Sequence, residues 1–296
     1  MLDPGSIAAT FGLFAFAVNP ASNADTISKS WALCAASSTI VTGTLHVPVR
    51  ELRAAHRGGG GYVSATVDVS EVLKGERSEA LTVTFSSEDR AFAPKSDALI
   101  ALDGRPVLLF LAAIPDDTGS GRLKTYFTSD AANAVRARSA PEVMEIRAEI
   151  ARQAAVLRTW RPHPEWPHEA EVKHLIAETL VRETAERAFR DLENLGPDAV
   201  PAIADLMDDR RPLGVAHIVL SNSPGAFEAQ RIYGPKLVVD ALAAILNQIT
   251  GDDYGSIMDG ASERQRRLAV NGWRIYADMR RNHTRRRAGV TSETPR

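Results

Sequence analysis

From Ser38 to about Ser129 the apolar and polar positions alternate with a period of two. In "YVSATVDVSEVLKG", Val63, Ala65, Val67 and Val69 fall on one face and Ser64, Thr66, Asp68 and Ser70 on the other, which predicts a half-buried strand closed by Lys74-Gly75. "ALTVTFS" repeats the alternation with Leu81, Val83 and Phe85 inward. "STIVTGTLHV" precedes both, with Gly43 where a strand bulges or bends. "RPVLLFLAAI" is continuously apolar and short, the pattern of a strand covered on both faces, and "LKTYFT" follows a "PDDTGSG" turn. Five strands with no helix between them predict a small antiparallel sheet. Closing it into a barrel is the simplest way to remove its edges.

Beyond Ser129 the period becomes helical. "SAPEVMEIRAEIARQAAVLRTW" opens with Ser139 and Pro141 as cap and first-turn residues, and Val143, Ile146, Ile150 and Ala154 recur at helical spacing. The three prolines of "RPHPEWP" stop that helix. A second helix is expected from about His168 to Leu195, with Val172, Ile176, Leu180, Ala185, Phe189 and Leu192 as its apolar stripe. After Gly196-Pro197 another begins, with Val200, Ile203, Leu206 and Met207 apolar. Gly234-Pro235 leads into a further helix whose stripe, Leu242, Ile245, Leu246 and Ile249, ends at Gly251, a residue type that commonly stops helices in the left-handed conformation. Ser262 and Gln265 form a capping box for the last helix.

Composition narrows the class without naming an activity. The hydrophobic share of 44% and charged share of 24% are those of a globular protein, and 296 residues suffice for two domains. A net charge of -2 supplies no global field for nucleic acid or anionic membrane. The single cysteine, Cys34, excludes an internal disulfide and a Cys-rich zinc site. "IAATFGLFAFAV", Ile7 to Val18, has signal-peptide length, and "ASNA" ending at Ala24 offers small residues for cleavage, although no Lys or Arg precedes it. The expectation is an exported, periplasmic or secreted protein without a transmembrane segment in its mature chain.

Two resemblances add to this. "IVTGTL", "ATVDVSEVLKG" and "PVLLFL", with the strand holding Tyr126, resemble the OB-like barrel of the netrin-module and tissue-inhibitor-of-metalloproteinases superfamily over roughly Cys34 to Asp130. Inhibitors of that group present an amino-terminal Cys-x-Cys to the protease zinc. Here Cys34-Ala35-Ala36 stands instead, so the resemblance implies the fold and not the inhibition. "LENLGPDAVPAIADLMDD" resembles one HEAT-type repeat, a pair of antiparallel helices around a tight corner. The carboxyl-terminal motif of Thr250, Gly251, Asp253, Tyr254, Gly255, Arg267, Val270, Trp273 and Arg274 resembles one found in HEAT-type repeat proteins of planctomycete-like bacteria. That resemblance implies a loop that closes the helical stack, with Tyr254 and Trp273 packed together.

No complete set of catalytic residues emerges. Asp252, Asp253 and Asp259 lack the spacing of a calcium loop, and Glu263 belongs to the next helix. His163, His168 and His174, with Glu165, Glu169 and Glu171, form the one cluster of metal-capable types; His168 and His174 stand roughly 240° apart around a helix. A solvated first turn explains these residues, with the acids favoured by the helix dipole. "HRGGGGY", His56 to Tyr62, enters a strand, unlike a phosphate-binding loop, and reads as a hairpin tip. "RRNHTRRR", Arg280 to Arg287, lacks interleaved aromatics and reads as a solvated tail.

The expected architecture is therefore α+β, a small antiparallel OB-like β-barrel followed by an all-α HEAT-like domain. Its divisions are a signal segment over 1–24, the barrel over 25–130, a helical linker over 131–166, the helical domain over 167–279 and a disordered basic tail over 280–296. The expected function is non-enzymatic binding or scaffolding toward an unknown protein partner, without catalytic, metal or cofactor residues. The alternatives are a metal-dependent hydrolase using His163, His168 and His174, and a cytoplasmic nucleic-acid-associated protein using the Arg-rich tail.

Overall fold

The computed structural model describes residues 30–57, 61–86, 96–115, 123–127, 133–221, 230–255 and 257–287. The expected signal segment, the glycines at 58–60, the turn at 116–121 and residues 288–296 lie outside them. The molecule is a mixed α/β protein with a mostly antiparallel sheet in its amino-terminal half and a mainly helical carboxyl-terminal half.

Six strands make the main sheet: β1 (Thr39–His46), β2 (Tyr62–Lys74), β3 (Ala80–Ser86), β4 (Pro106–Pro115), β5 (Leu123–Phe127) and β6 (Val135–Ala137). The alternation predicted for β2 is present: Val63, Ala65 and Val67 are buried, while Ser64, Thr66 and Asp68 face solvent. β1 lies between β2 and β4, antiparallel to both. The other edge of β4 is shared, with β6 opposite Val107–Leu109 and β5 opposite Leu111–Pro115. β3 meets β5 in a short parallel pairing, Val83 with Thr125 and Thr84 with Tyr126. Val107 to Leu111 are fully buried, as expected of a strand covered on both faces. Each such side chain stabilises the fold by about 1.5–3 kcal/mol relative to exposure.

At Gly43 the β1–β2 register shifts. A Cβ there would stand 2.3 Å from the Asp68 carbonyl oxygen, so the close approach of the two backbones requires glycine.

The expectation of strands without intervening helices is corrected. Helix α2 (Val49–Arg57) lies between β1 and β2, and α3 (Ser96–Ala101) between β3 and β4. Leu52 and Leu99 are each fully buried and belong to the sheet's core. α2 also takes the backbone of His56 and Arg57, which the sequence reading assigned to a hairpin tip. The sheet extends to Ala137, past the expected boundary at 130, because β6 completes the edge of β4.

α4 (Ala140–Thr159) begins as predicted, with the Ser139 hydroxyl accepting the Glu142 amide and a proline in its first turn. It is more than a linker: Ile146 belongs to the sheet's core, whereas Leu157 packs on the helical core.

The single helix expected from His168 to Leu195 is two, α5 (Glu169–Glu178) and α6 (Arg182–Asn194). The break falls where the apolar spacing lengthens to five residues, from Leu180 to Ala185. There the Thr179 hydroxyl donates to the Ile176 carbonyl and the Thr184 hydroxyl to the Glu178 carbonyl. A 3-10 turn at Gly196–Ala199 leads to α7 (Val200–Asp205), which is only six residues long.

The carboxyl-terminal half is not all-α. Strands β7 (Ile218–Ser221) and β8 (Gln230–Tyr233) form a two-stranded antiparallel sheet, with Ile218 and Leu220 buried against the helices. α8 (Val238–Thr250) is buried on every side from Val238 to Asn247, which makes it the central helix of this half. α9 (Glu263–Arg287) is the longest helix among the described residues. It carries the backbone of Arg280–Arg287, so this part of the expected disordered tail is helical. Asp278 anchors the region, accepting from Arg281 at 2.7 Å and Asn282 at 3.1 Å, and basic residues suit a helix carboxyl end.

The halves meet through α1 (Ser30–Ala36). Leu33 and Cys34 belong to the sheet's core, while Ala35 and Trp31 pack on the helical one. The Lys74 ammonium donates to the Cys34 carbonyl at 2.6 Å, and the Gln153 amide donates to the Trp31 carbonyl at 2.9 Å. Burial pushes the Cys34 thiol up to about 12 and the Lys74 ammonium down to about 8, so Cys34 is an inert core thiol at neutral pH.

Candidate functional site

Two places concentrate polar and aromatic side chains: the proline-rich strap between α4 and α5, and the seam where α1, α9 and the loop after α8 meet.

The strap runs from Trp160 to His168. Its prolines deny it a helical path, and its two tryptophans pack against the helical core. Asp205, at the end of α7 and 7% exposed, holds it in place. Its Oδ2 accepts the His163 amide and the Trp166 indole N–H, each at 2.7 Å. The opposite oxygen, Oδ1, and Nδ1 of His163 are buried without a partner among the described residues. Two guanidinium groups of α9 cover the indoles, Arg274 at 5.7 Å from the Trp160 ring centre and Arg281 at 6.0 Å from that of Trp166. At the end of the strap His168 takes a left-handed conformation, φ 63°, the one non-glycine residue to do so among those described.

The three histidines of the hydrolase alternative are here, each engaged separately. The His163 ring lies 5.1 Å from Trp166, His168 Nδ1 is 3.0 Å from Glu171, and His174 Nε2 is 3.5 Å from Glu178. Among the described residues no group of three or more His, Cys, Asp or Glu side chains is placed to hold a metal ion.

The seam is aromatic. Gly251 ends α8 in the left-handed conformation, φ 75°, and its amide donates to the Asn247 carbonyl at 2.7 Å. The Asn247 side-chain amide donates to the Asp252 carbonyl, and the Asp253 carboxylate accepts the Gly255 amide. The loop thus folds on its own polar groups and delivers Tyr254 to the core. Tyr254 meets Trp273 edge-on at 4.9 Å, the packing that the carboxyl-terminal motif implies. Trp31 of α1 stacks over Tyr254 at 6.4 Å, and Tyr276 completes the group at 6.0 Å from Tyr254. Gly272 makes room for it: a Cβ there would stand 2.4 Å from the Tyr254 Cβ. Burial holds the Tyr254 hydroxyl well above its ordinary range, so the ring stays neutral. Asp252 is pushed up to about 6, first by loss of hydration and then by the Asp253 charge. The capping box of α9 is present, with the Ser262 hydroxyl accepting the Gln265 amide and the Gln265 side chain accepting the Ser262 amide. Asp259 accepts the Gly234 amide at 2.6 Å.

Sequence reasoning missed Trp31, Asp205 and the pair Asp240–Arg266. None had a local signal. Each acts across more than twenty residues of chain.

No model of a known protein family matches the chain, and no curated protein matches it. No helix among the described residues is long and apolar enough to cross a membrane.

Proposed function

We propose that the protein is an exported, non-enzymatic binding or scaffold protein whose amino-terminal half is an OB-like barrel and whose carboxyl-terminal half is a HEAT-like helical domain, both used for protein recognition. The observation that carries the reading is the seam: the helices α1 and α4 each belong to both cores and hold two unlike surfaces together. The barrel reading is supported by the order of pairings, which runs β1–β2–β3–β5–β4 and returns to β1. Barrels of this kind use the face of strands 2 and 3 for binding. Here that face carries Ser64, Thr66, Thr82 and Thr84, with Tyr62 60% exposed at its end. The HEAT-like reading is supported by the adjacent α5–α6 helices and the Gly196-Pro197 corner that follows them. Export is supported by the apolar run Ile7–Val18 and the small residues before Asp25.

The test uses the whole chain, since splitting it would expose both cores. The protein, immobilised through its carboxyl terminus, captures partners by crosslinking in the native cell, and mass spectrometry identifies them. The reading expects a partner whose crosslinks map to one surface and whose recovery falls with Tyr62→Ser or with charge reversals on α5–α6. A chain recovered from the cytoplasm with residues 1–24 attached, and with no crosslinked protein, would overturn it.

A further inference from the structure

A third feature lies away from both the strap and the seam. Between α6 and β7 there is a cleft of about 210 Å³, room for a ligand of several heavy atoms. Phe189 forms its floor, and Val215 and Val219 its apolar walls. Gly214, beside the cleft in sequence, lets the segment before β7 run close to the α5–α6 corner: a Cβ at 214 would stand 3.1 Å from the Leu180 carbonyl oxygen. Arg182, Glu186 and His217 supply the polar rim.

The rim has a sign. Glu186 is paired with Arg190 at 2.7 Å. Arg182 has no ion-pair or hydrogen-bond partner among the described residues, although nearby arginines such as Arg187 and Arg190 are paired. Arg182 is also the first residue of α6. That helix has no side-chain cap among the described residues, so its first amides add positive potential at the same end of the cleft, offset in part by Glu183 in the same turn. A site with apolar walls, an aromatic floor and an uncommitted guanidinium at one end matches an apolar body that ends in an anionic oxygen pair.

We propose that this cleft is a binding site for an apolar carboxylate, with the hydrocarbon on Phe189, Val215 and Val219 and the carboxylate on Arg182. The chemistry is shared by a free short-chain acid and by the carboxyl terminus of a chain that ends in apolar residues. The site does not depend on the protein-recognition reading above.

The experiment is a titration of the full chain followed by amide NMR. The probes are sodium hexanoate, 1-hexanol, and N-acetyl-dileucine as free acid and as amide. Hexanoate is expected to give saturable shifts confined to Val215–Val219 and the first turn of α6, with hexanol about tenfold weaker or worse. Arg182→Gln, an exposed change, should weaken hexanoate about tenfold and leave the remaining spectrum intact, whereas Arg187→Gln should leave the affinity unchanged. Dileucine acid binding more tightly than hexanoate, with its amide inactive, identifies a chain terminus as the source; hexanoate binding alone identifies a free acid. Absence of saturable shifts at the cleft, hexanol binding as well as hexanoate, or equal losses in the Arg182 and Arg187 variants would each overturn the proposal.

Discussion

Asp240 and Arg266 form a two-point ion pair inside the helical core, with Arg266 Nε 2.7 Å from Asp240 Oδ1 and Nη2 2.9 Å from Oδ2. Asp240 is fully buried, and its Oδ2 also accepts the Lys236 and Leu237 amides that open α8. One carboxylate thus caps the central helix and ties it to α9. Replacing either partner leaves an uncompensated charge or unfilled donors in a dry interior. Asp240→Ala should cost about 3–5 kcal/mol, read as a lowered midpoint in urea unfolding. A loss under about 1 kcal/mol would mean that water reaches the pair.

Asp205 offers a more local test. Its Oδ2 is the shared acceptor for the His163 amide and the Trp166 indole. Hydrogen bonds to a charged acceptor contribute about 1.5–3 kcal/mol each, partly offset by removal of the buried charge. Asp205→Ala should lower stability by about 2–3 kcal/mol and shift tryptophan emission to the red as Trp166 gains water. Unchanged emission in a folded variant would show that packing alone retains the strap.

Asp252 predicts a pH dependence. Its carboxyl is raised to about 6 in the folded protein, above the ordinary carboxylate value of the unfolded chain. The folded state therefore holds its proton more tightly. This contribution is fully present below the unfolded value and is lost as pH rises through about 6. Asp252→Asn, which mimics the protonated form, should melt higher than the wild type at pH 7.5 and alongside it at pH 4. The residue is exposed overall, so solvent screening trims the gain to about 1 kcal/mol or less. A gain that persists at pH 4 would assign the effect to something other than ionisation.

Gly272 tests the aromatic seam. An added methyl would meet the Tyr254 Cβ at 2.4 Å and Cγ at 2.9 Å, and Tyr254 is enclosed by Trp31, Trp273 and Tyr276. Gly272 lies inside α9, where alanine is ordinarily the better helix former by up to about 1 kcal/mol. The clash reverses that preference. Gly272→Ala should destabilise by about 1–3 kcal/mol, and thermal melting should show the fall. A variant more stable than the wild type would place Tyr254 elsewhere.

The parts legible in the sequence were those whose partners are local. β2 alternated because one of its faces is buried, and Gly251, Ser139 and the Ser262–Gln265 box marked helix ends through contacts a few residues away. β7 and β8 were hidden because four-residue strands give too little alternation to distinguish from a loop. α2 was hidden by its charge, for "VRELRAAHR" buries Leu52 and exposes Arg50, Glu51, Arg53 and Ala54. The α5–α6 break did leave a trace in the five-residue step between Leu180 and Ala185, which a continuous stripe absorbs if phase is not counted. The candidate sites were harder. The histidines were visible as residue types, but the carboxylate that organises the strap lies 42 residues beyond His163.

The helix shared by the two cores has a further consequence for recognition. A partner that touched the strand face and the helical face at once would meet two sites already held at one spacing, with no linker to order. Its second contact would form at a high effective concentration, and two individually weak contacts would add with little entropic loss. Trp31 seats α1 on the helical side of this arrangement through Tyr254 and Tyr276, while Leu33 and Cys34 of the same helix seat it in the sheet's core.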